Sequence, residues 1–253
     1  VNPFAVQAIA EALDGVDIPV LVKNPVNPDL KLWLGALERV EKQVKGDVAA
    51  CHRGFTYYGQ QRYRNAPQWE LALELRRLRP EIPLYNDPSH IAGKRQWVQE
   101  VAQHALDLAY DGLMVEVHPT PATALSDAAQ QLTFQDFARL QDALVLRQPD
   151  KHDPAYVQRL QALRVQIDEV DVQLLDHLAR RMKIAAEIGA LKTENQVQLL
   201  QFQRWLTVYN SRTDWAKSLG LSPAFVRSIM QQLHVEALRI QGEGSLPDAS
   251  AHD

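Results

Sequence analysis

The chain has 253 residues, a formal charge of −4, 46% apolar residues and a single cysteine, Cys51. It is long enough for one large domain or two ordinary ones and can build a core without staples. No basic excess points to nucleic acid, and one thiol excludes a disulfide framework and fits a reducing compartment. No apolar run approaches the roughly 20 residues of a membrane span, so no membrane partner and a cytoplasmic location are expected.

Val1-Asn2-Pro3-Phe4 leads at once into a helical pattern (Phe4, Ile9, Leu13), with no initiator methionine or signal peptide. This reads as the interior of a domain rather than its beginning. Residues 1–147 then alternate between strand and helix patterns. Strands are expected over 18–22, 48–51, 82–85 and 112–117, and helices over 30–44, 69–78, 97–109 and 134–145. Strands separated by helices of this length imply parallel pairing with right-handed crossovers. Lys23, Arg53, His90, Glu116 and His118 follow the strands, where a β/α barrel and an open doubly wound sheet both place their sites. No glycine-rich phosphate fingerprint follows a strand, which argues against a dinucleotide fold. Four β/α units make half of an eight-fold barrel, and a half barrel has two open edges.

Residues 148–155 are polar, carry Pro149 and Pro154, and read as a linker. Beyond it the pattern is purely helical. Leu160, Leu163, Ile167, Val170, Leu174, Leu178, Met182, Ala185, Ile188 and Leu191 recur at steps of three and four, giving a helix of about ten turns. Such a helix cannot bury its stripe against itself, so a bundle or an oligomer is implied. Shorter helical patterns cover 197–219 and 223–240, the latter opened by Ser222-Pro223 as cap and first residue. A frayed polar tail is expected over 243–253.

Two sets of residues carry chemistry. His90, Glu116 and Asp127, the last expected at a helix start, offer an imidazole and two carboxylates to a first-row divalent ion. A histidine capping a turn is the alternative. The cations Lys23, Arg53, Lys94 and Arg95 suit phosphate and carboxylate groups if they converge, and are otherwise solvated loop residues. On the long helix, Arg181 and Lys192 are eleven residues apart and share a face within about 20°. Arg164 points about 100° away and can serve a different pocket, for instance a partner chain's. A plain solvated basic face is the alternative here.

The stretches LVKNPVNPDLKLWLGALERV, HRGF with YRNAPQWELALELRR, NDPSHIAGKR, and DGLMVEVHPTPATALSDAAQQLTFQDF resemble the synthase half of 3-deoxy-7-phosphoheptulonate (DAHP) synthase, in the form fused to a C-terminal chorismate mutase. The resemblance covers residues 1 to about 147. It implies an α/β fold, the C-terminal half of a TIM-type β/α barrel, and the condensation of phosphoenolpyruvate with erythrose 4-phosphate. It implies His90, Glu116 and Asp127 as ligands of a divalent metal of manganese, iron or zinc type. Lys23 and Arg53 would contact phosphoenolpyruvate, with Lys94 and Arg95 nearby. The family's fourth ligand, a cysteine in an early Gly-Pro-Cys segment, has no counterpart, and Cys51 lies in the strand before His52-Arg53-Gly54. Synthase activity is therefore expected of a longer parent.

LQALRVQIDEVDVQLLDHLARRMKIAAEIGALK (residues 160–192) resembles the all-helical chorismate mutase, an intertwined homodimer of three-helix subunits, over about 156–242. The resemblance implies rearrangement of chorismate to prephenate without cofactor or metal. It implies that Arg164 reaches a partner's site and that Arg181 serves its own. Lys192 would bind the ether oxygen and a carboxylate, joined by Arg204 and Gln241. Gln201, Trp205 and Ala237 depart from the acidic and serine positions of some relatives. A helical module that only dimerises or regulates a synthase is the alternative, and another phosphoenolpyruvate-condensing barrel a third. A dimerisation helix needs the leucine stripe but not this cation set.

Overall fold

The computed structural model describes residues 2–58, 62–148 and 153–243, which separate into two compact units, residues 1–150 and 151–253.

In the first unit, Asn2 caps α1 (Pro3–Ala12), its side chain accepting from the Phe4 N–H. β1 (Val20–Lys23) follows, then α2 (Leu30–Glu41), capped by Asp29 through the Leu32 N–H at 3.2 Å. The buried face of α2 carries Trp33, Ala36, Leu37 and Val40, the three- and four-residue spacing of an amphipathic helix. β2 (Val48–His52), α3 (Trp69–Leu78), β3 (Leu84–Asn86), the short α4 (Pro88–Ala92), α5 (Val98–Asp107), β4 (Gly112–Leu113) and α6 (Phe134–Ala143) complete the unit.

The four strands form one parallel sheet in the order β1-β2-β3-β4, with Val22 beside Ala50, Ala50 beside Leu84, and Asn86 beside Leu113. The order never reverses, so there is no switch point of the open doubly wound kind; the winding is that of a barrel segment. Trp33, Leu37, Phe55, Leu75, Leu84 and Ala105 belong to the core between sheet and helices. A second cluster, including Ile91, Val98, Val101, Leu132 and Leu140, lies under α5 and α6. Buried His52 stands among Trp33, Phe55, Trp69 and Tyr110; Nδ1 is 2.9 Å from the Tyr110 hydroxyl and Nε2 is 2.6 Å from the Pro67 carbonyl.

Two strands start later than their apolar runs, because Pro19 and Pro83 bring no N–H to the ladder. The fourth is two residues long instead of the expected 112–117. Its partner β3 has only three residues; past Met114, whose N–H meets the Asn86 carbonyl, the Glu116 N–H turns to the Ser89 hydroxyl.

The second unit is helical. Asp153 caps α7 (Pro154–Glu194) through the Ala155 and Tyr156 N–H groups, with Pro154 at the first position. α8 (Phe202–Ser218) ends at Gly220, whose φ of 70° is left-handed, and α9 (Pro223–Glu243) packs against both α7 and α8. The expected helix over 197–219 begins only at Phe202. Gln196, at φ 56°, breaks the path after α7, and the Val197 N–H closes back on the Lys192 carbonyl. Of the expected linker, residues 149–152 lie outside the described residues and Pro154 already belongs to α7. Of the expected tail, only Glu243 is described, as the end of α9.

Candidate active sites

At the end of β3, buried Asp87 caps α4: its Oδ1 accepts the His90 N–H at 3.0 Å, and Pro88 takes the first helical position. His90 thus rides on a helix of its own, held by a carboxylate one residue past strand pairing. Its Nδ1 is 3.6 Å from Glu116 Oε1 and its Nε2 3.9 Å from Asp127 Oδ2. One ligand atom from each of these three residues lies within 4.8 Å of the others.

The carboxylates are braced. The Glu116 N–H donates to the Ser89 hydroxyl at 3.0 Å, and buried Gln130 donates to Glu116 Oε2 at 2.8 Å. Arg64 donates to Gln130 Oε1 at 2.8 Å and pairs with Asp127. Asp127 does not open a helix as expected. It sits at φ 53°, a left-handed position that aspartate tolerates, with its backbone carbonyl accepting from the Gln130 N–H in a tight turn. The Arg64 guanidinium holds the Asp127 carboxyl below the usual range. Burial raises the Asp87 carboxyl, but contacts from His90 and Lys23 outweigh it and leave it lowered. Both are ionised at neutral pH.

Lys23, at the end of β1, reaches Asp87 Oδ2 at 2.8 Å. Arg53 is fixed by its backbone N–H to Asn24 Oδ1 at 2.6 Å, and its charge is felt at Asp127. Lys94 and Arg95 take other partners: Lys94 stands 5.1 Å over the Trp97 ring, and Arg95 donates to the Ala128 carbonyl at 3.0 Å. The structure therefore brings together His90, Glu116, Asp127, Lys23 and Arg53, but not the following basic pair. Cys51 is fully buried, and burial, then Asp87, pushes its thiol up to about 12, so it is neutral in the metal-free protein, and it is not part of the His90, Glu116 and Asp127 group.

A divalent ion fits these donors. His90 Nδ1 is buried and, although 2.8 Å from Asp87 Oδ2, has no aligned hydrogen-bond partner; Glu116 lies on the Nδ1 side of the ring and Asp127 on the Nε2 side, a mixed nitrogen and oxygen set. Sequence reasoning missed Asp87, Arg64 and Gln130. Asp87-Pro88 is a readable cap signature, but Arg64 and Gln130 arrive from distant loops with no local signal.

In the second unit, α7, α8 and α9 enclose a cavity of about 590 Å³. Arg181 and Lys192 line it from α7, Arg204 from the first turn of α8, and Gln241 from the last turn of α9. Lys192 Nζ donates to the Leu199 carbonyl at 2.5 Å and to Gln241 Oε1 at 3.2 Å. Arg181 donates to the Leu233 carbonyl at 3.1 Å. Gly189 permits this meeting: a Cβ there would lie 2.8 Å from Gln241 Cα. Gln201, Trp205 and Ala237 line the cavity too, as do Tyr209, Arg212 and His234, which the sequence reading did not single out. His234, Ala237 and Gln241 fall at i, i+3 and i+7, a spacing that could have signalled His234. Arg164 is exposed and does not line this cavity.

The DAHP synthetase I family model matches residues 5–152, and chorismate mutase type II matches residues 163–242. A phospho-2-dehydro-3-deoxyheptonate aldolase from Thermotoga maritima is 31% identical over 122 residues, 48% of this chain and 36% of that protein. A 4-amino-4-deoxychorismate mutase from Streptomyces pristinaespiralis is 33% identical over 84 residues, 33% of this chain and 65% of that protein. A crystal structure of the Thermotoga maritima aldolase aligns at 27% identity and a TM-score of 0.47, covering 56% of this chain and 40% of that one. The chain thus spans about a third of the curated aldolase and about two-thirds of the curated mutase. Among the described residues no helix is long and apolar enough to cross a membrane. With the synthetase match covering more than half of its length, the chain belongs to the DAHP synthetase I family, and residues 163–242 behind that match resemble chorismate mutase type II.

Proposed function

We propose that the helical unit rearranges chorismate to prephenate, and that the first unit supplies the metal-binding, C-terminal half of a site condensing phosphoenolpyruvate with erythrose 4-phosphate. One observation carries the mutase reading: Arg181, Lys192, Arg204 and Gln241, distant in sequence, line a single cavity. Catalysis of a one-step rearrangement rests on folding the substrate and stabilising charge on the breaking ether. Arg181 and Arg204 hold the carboxylates. Lys192, steadied by the Leu199 carbonyl, donates to the ether oxygen. Gln241 accepts from Lys192 through Oε1, which makes the other end of its amide the donor end.

A homodimer belongs to this reading. Ile167, Val170 and Leu174 on the N-terminal half of α7 are 60%, 59% and 53% exposed, a stripe that a second α7 would cover. Arg164, on that same stretch, would then enter the partner's cavity.

In the first unit, His90, Glu116 and Asp127 would hold a divalent ion of manganese, iron or zinc type, which polarises a bound carbonyl. Lys23, oriented by Asp87, and Arg53 would meet the anionic groups of phosphoenolpyruvate. Lys94 and Arg95 would join only by leaving Trp97 and the Ala128 carbonyl. A cytoplasmic setting suits a biosynthetic enzyme of aromatic amino acids.

The test is prephenate formation from chorismate by the 253-residue chain in the presence of a chelator. Turnover is expected. A helical, dimeric chain that leaves chorismate unchanged would overturn the mutase reading and favour a dimerisation module.

A further inference from the structure

The helical unit's cavity carries an unusual charge balance. Among the described residues its lining includes Arg181, Lys192, Arg204 and Arg212, and no aspartate or glutamate. Into this basic wall α9 presents a histidine. Met230, His234, Ala237, Leu238 and Gln241 all line the cavity at helical spacing, so His234 stands on the face that holds Gln241 two turns on. Its ring lies 5.4 Å from Trp205, tilted by 42°, and Trp205 stacks in turn on Tyr209 at 5.0 Å. Among the described residues neither ring nitrogen of His234 has a hydrogen bond. We infer that His234 is a further ligand-positioning residue of this cavity, neutral in the free protein and protonated when a dicarboxylate is bound. This rests on the mutase reading of the site.

The physical reason is the change of sign around the ring. Arg181 and Lys192 from α7 act on His234 electrostatically, Trp205 from α8 packs on its ring, and Arg204, Tyr209 and Arg212 from α8 line the same cavity. On α9 itself, Glu236 and Arg239 pair with each other at 2.5 Å. Among the described residues no acidic group lines the cavity to offset these cations, and burial, then Arg181 and Lys192, lower the imidazole below its ordinary range. A bound dicarboxylate brings two negative charges into the same space. The cations are then compensated, and the imidazolium becomes favourable. Proton uptake at His234 thus accompanies binding, and affinity for the dianion rises as the pH falls through the neutral range. Trp205 packs against the ring at 5.4 Å within the cavity wall, which restricts the imidazole and makes it a placed donor.

The experiment is calorimetric titration of the full chain with prephenate, whose carboxylates stay ionised across the range. Runs at neutral pH in two buffers of different ionisation enthalpy give the proton count. We expect uptake of about half a proton per site and a five- to tenfold gain in affinity between about pH 8.5 and about pH 6.5. His234→Gln is expected to abolish the uptake and flatten the pH profile. His177→Gln, on exposed α7, is expected to leave both unchanged. An unaltered proton count in His234→Gln, or no uptake by the wild-type chain, would overturn the inference. Should His234→Gln lose its helical circular dichroism, NMR titration of the wild-type His234 ring decides: its pKa must rise when prephenate is added. A chain that binds no prephenate at any pH instead fails the mutase reading itself.

Discussion

Gly189→Ala tests a close approach of α7 and α9 beside the helical unit's cavity. A Cβ at residue 189 would meet Gln241 Cα at 2.8 Å and its Cβ and Cγ at 3.1 Å each. A side chain could rotate away, but Cα is backbone, so α9 must shift. Overpacking of this kind costs about 1–3 kcal/mol. Replacing a helical glycine by alanine returns about 1 kcal/mol of propensity. The net expectation is a loss of up to ~2 kcal/mol, or several degrees in Tm for a unit of this size. The same shift pulls Gln241 from Lys192, 3.2 Å away. A hydrogen bond to a charged group is worth about 1.5–3 kcal/mol, so kcat/KM for prephenate formation should fall about ten- to a hundredfold. Urea unfolding followed by circular dichroism, and the loss of chorismate absorbance, read the two effects. A variant that melts higher with unchanged turnover would refute the reasoning, because propensity alone would then be acting.

Arg181→Ala should abolish mutase turnover while gel filtration still shows a dimer, since Arg181 faces the cavity and the exposed stripe lies elsewhere on α7; dissociation would count against this assignment. His90→Ala should weaken manganese binding by the folded chain at least tenfold in calorimetry, and unchanged affinity would remove His90 from the ligand set. His52 gives the first unit an acid limit. Burial pushes its imidazole down to about 4, against about 6.5 in an unfolded chain. Its stabilising effect is fully present above about pH 6.5 and is lost as the pH falls toward 4, on the order of 3 kcal/mol in all. His52→Asn should flatten that part of the stability profile; an equally steep loss in the variant would assign it to the carboxylates.

The candidate sites were unequally legible. Arg181 and Lys192 sit on one helix, where a rotation of about 100° per residue fixes their common face before any packing. The same arithmetic separates Arg164 from them. His90 could be placed past a strand end, but not the brace around it. Arg64, Gln130 and Glu116 form a hydrogen-bonded chain across loops more than fifty residues apart in part, and no periodicity reports such contacts. Lys94 and Arg95 look as promising in sequence as Lys23. Only the rings and carbonyls near them turn them elsewhere.

Local chemistry in the chain determined the alternation of strand and helix, the uninterrupted length of α7, and the caps at Asp29, Asp87 and Asp153, because propensity, period and capping act within a few residues. Tertiary structure alone decided where β4 stops, that Asp127 takes a left-handed turn, and that His234 shares a cavity with Arg181 and Lys192. These depend on partners far along the chain: the short β3 limits β4, the Arg64 guanidinium meets the Asp127 carboxylate across the turn, and α9 packs on α7 where a glycine at 189 leaves room.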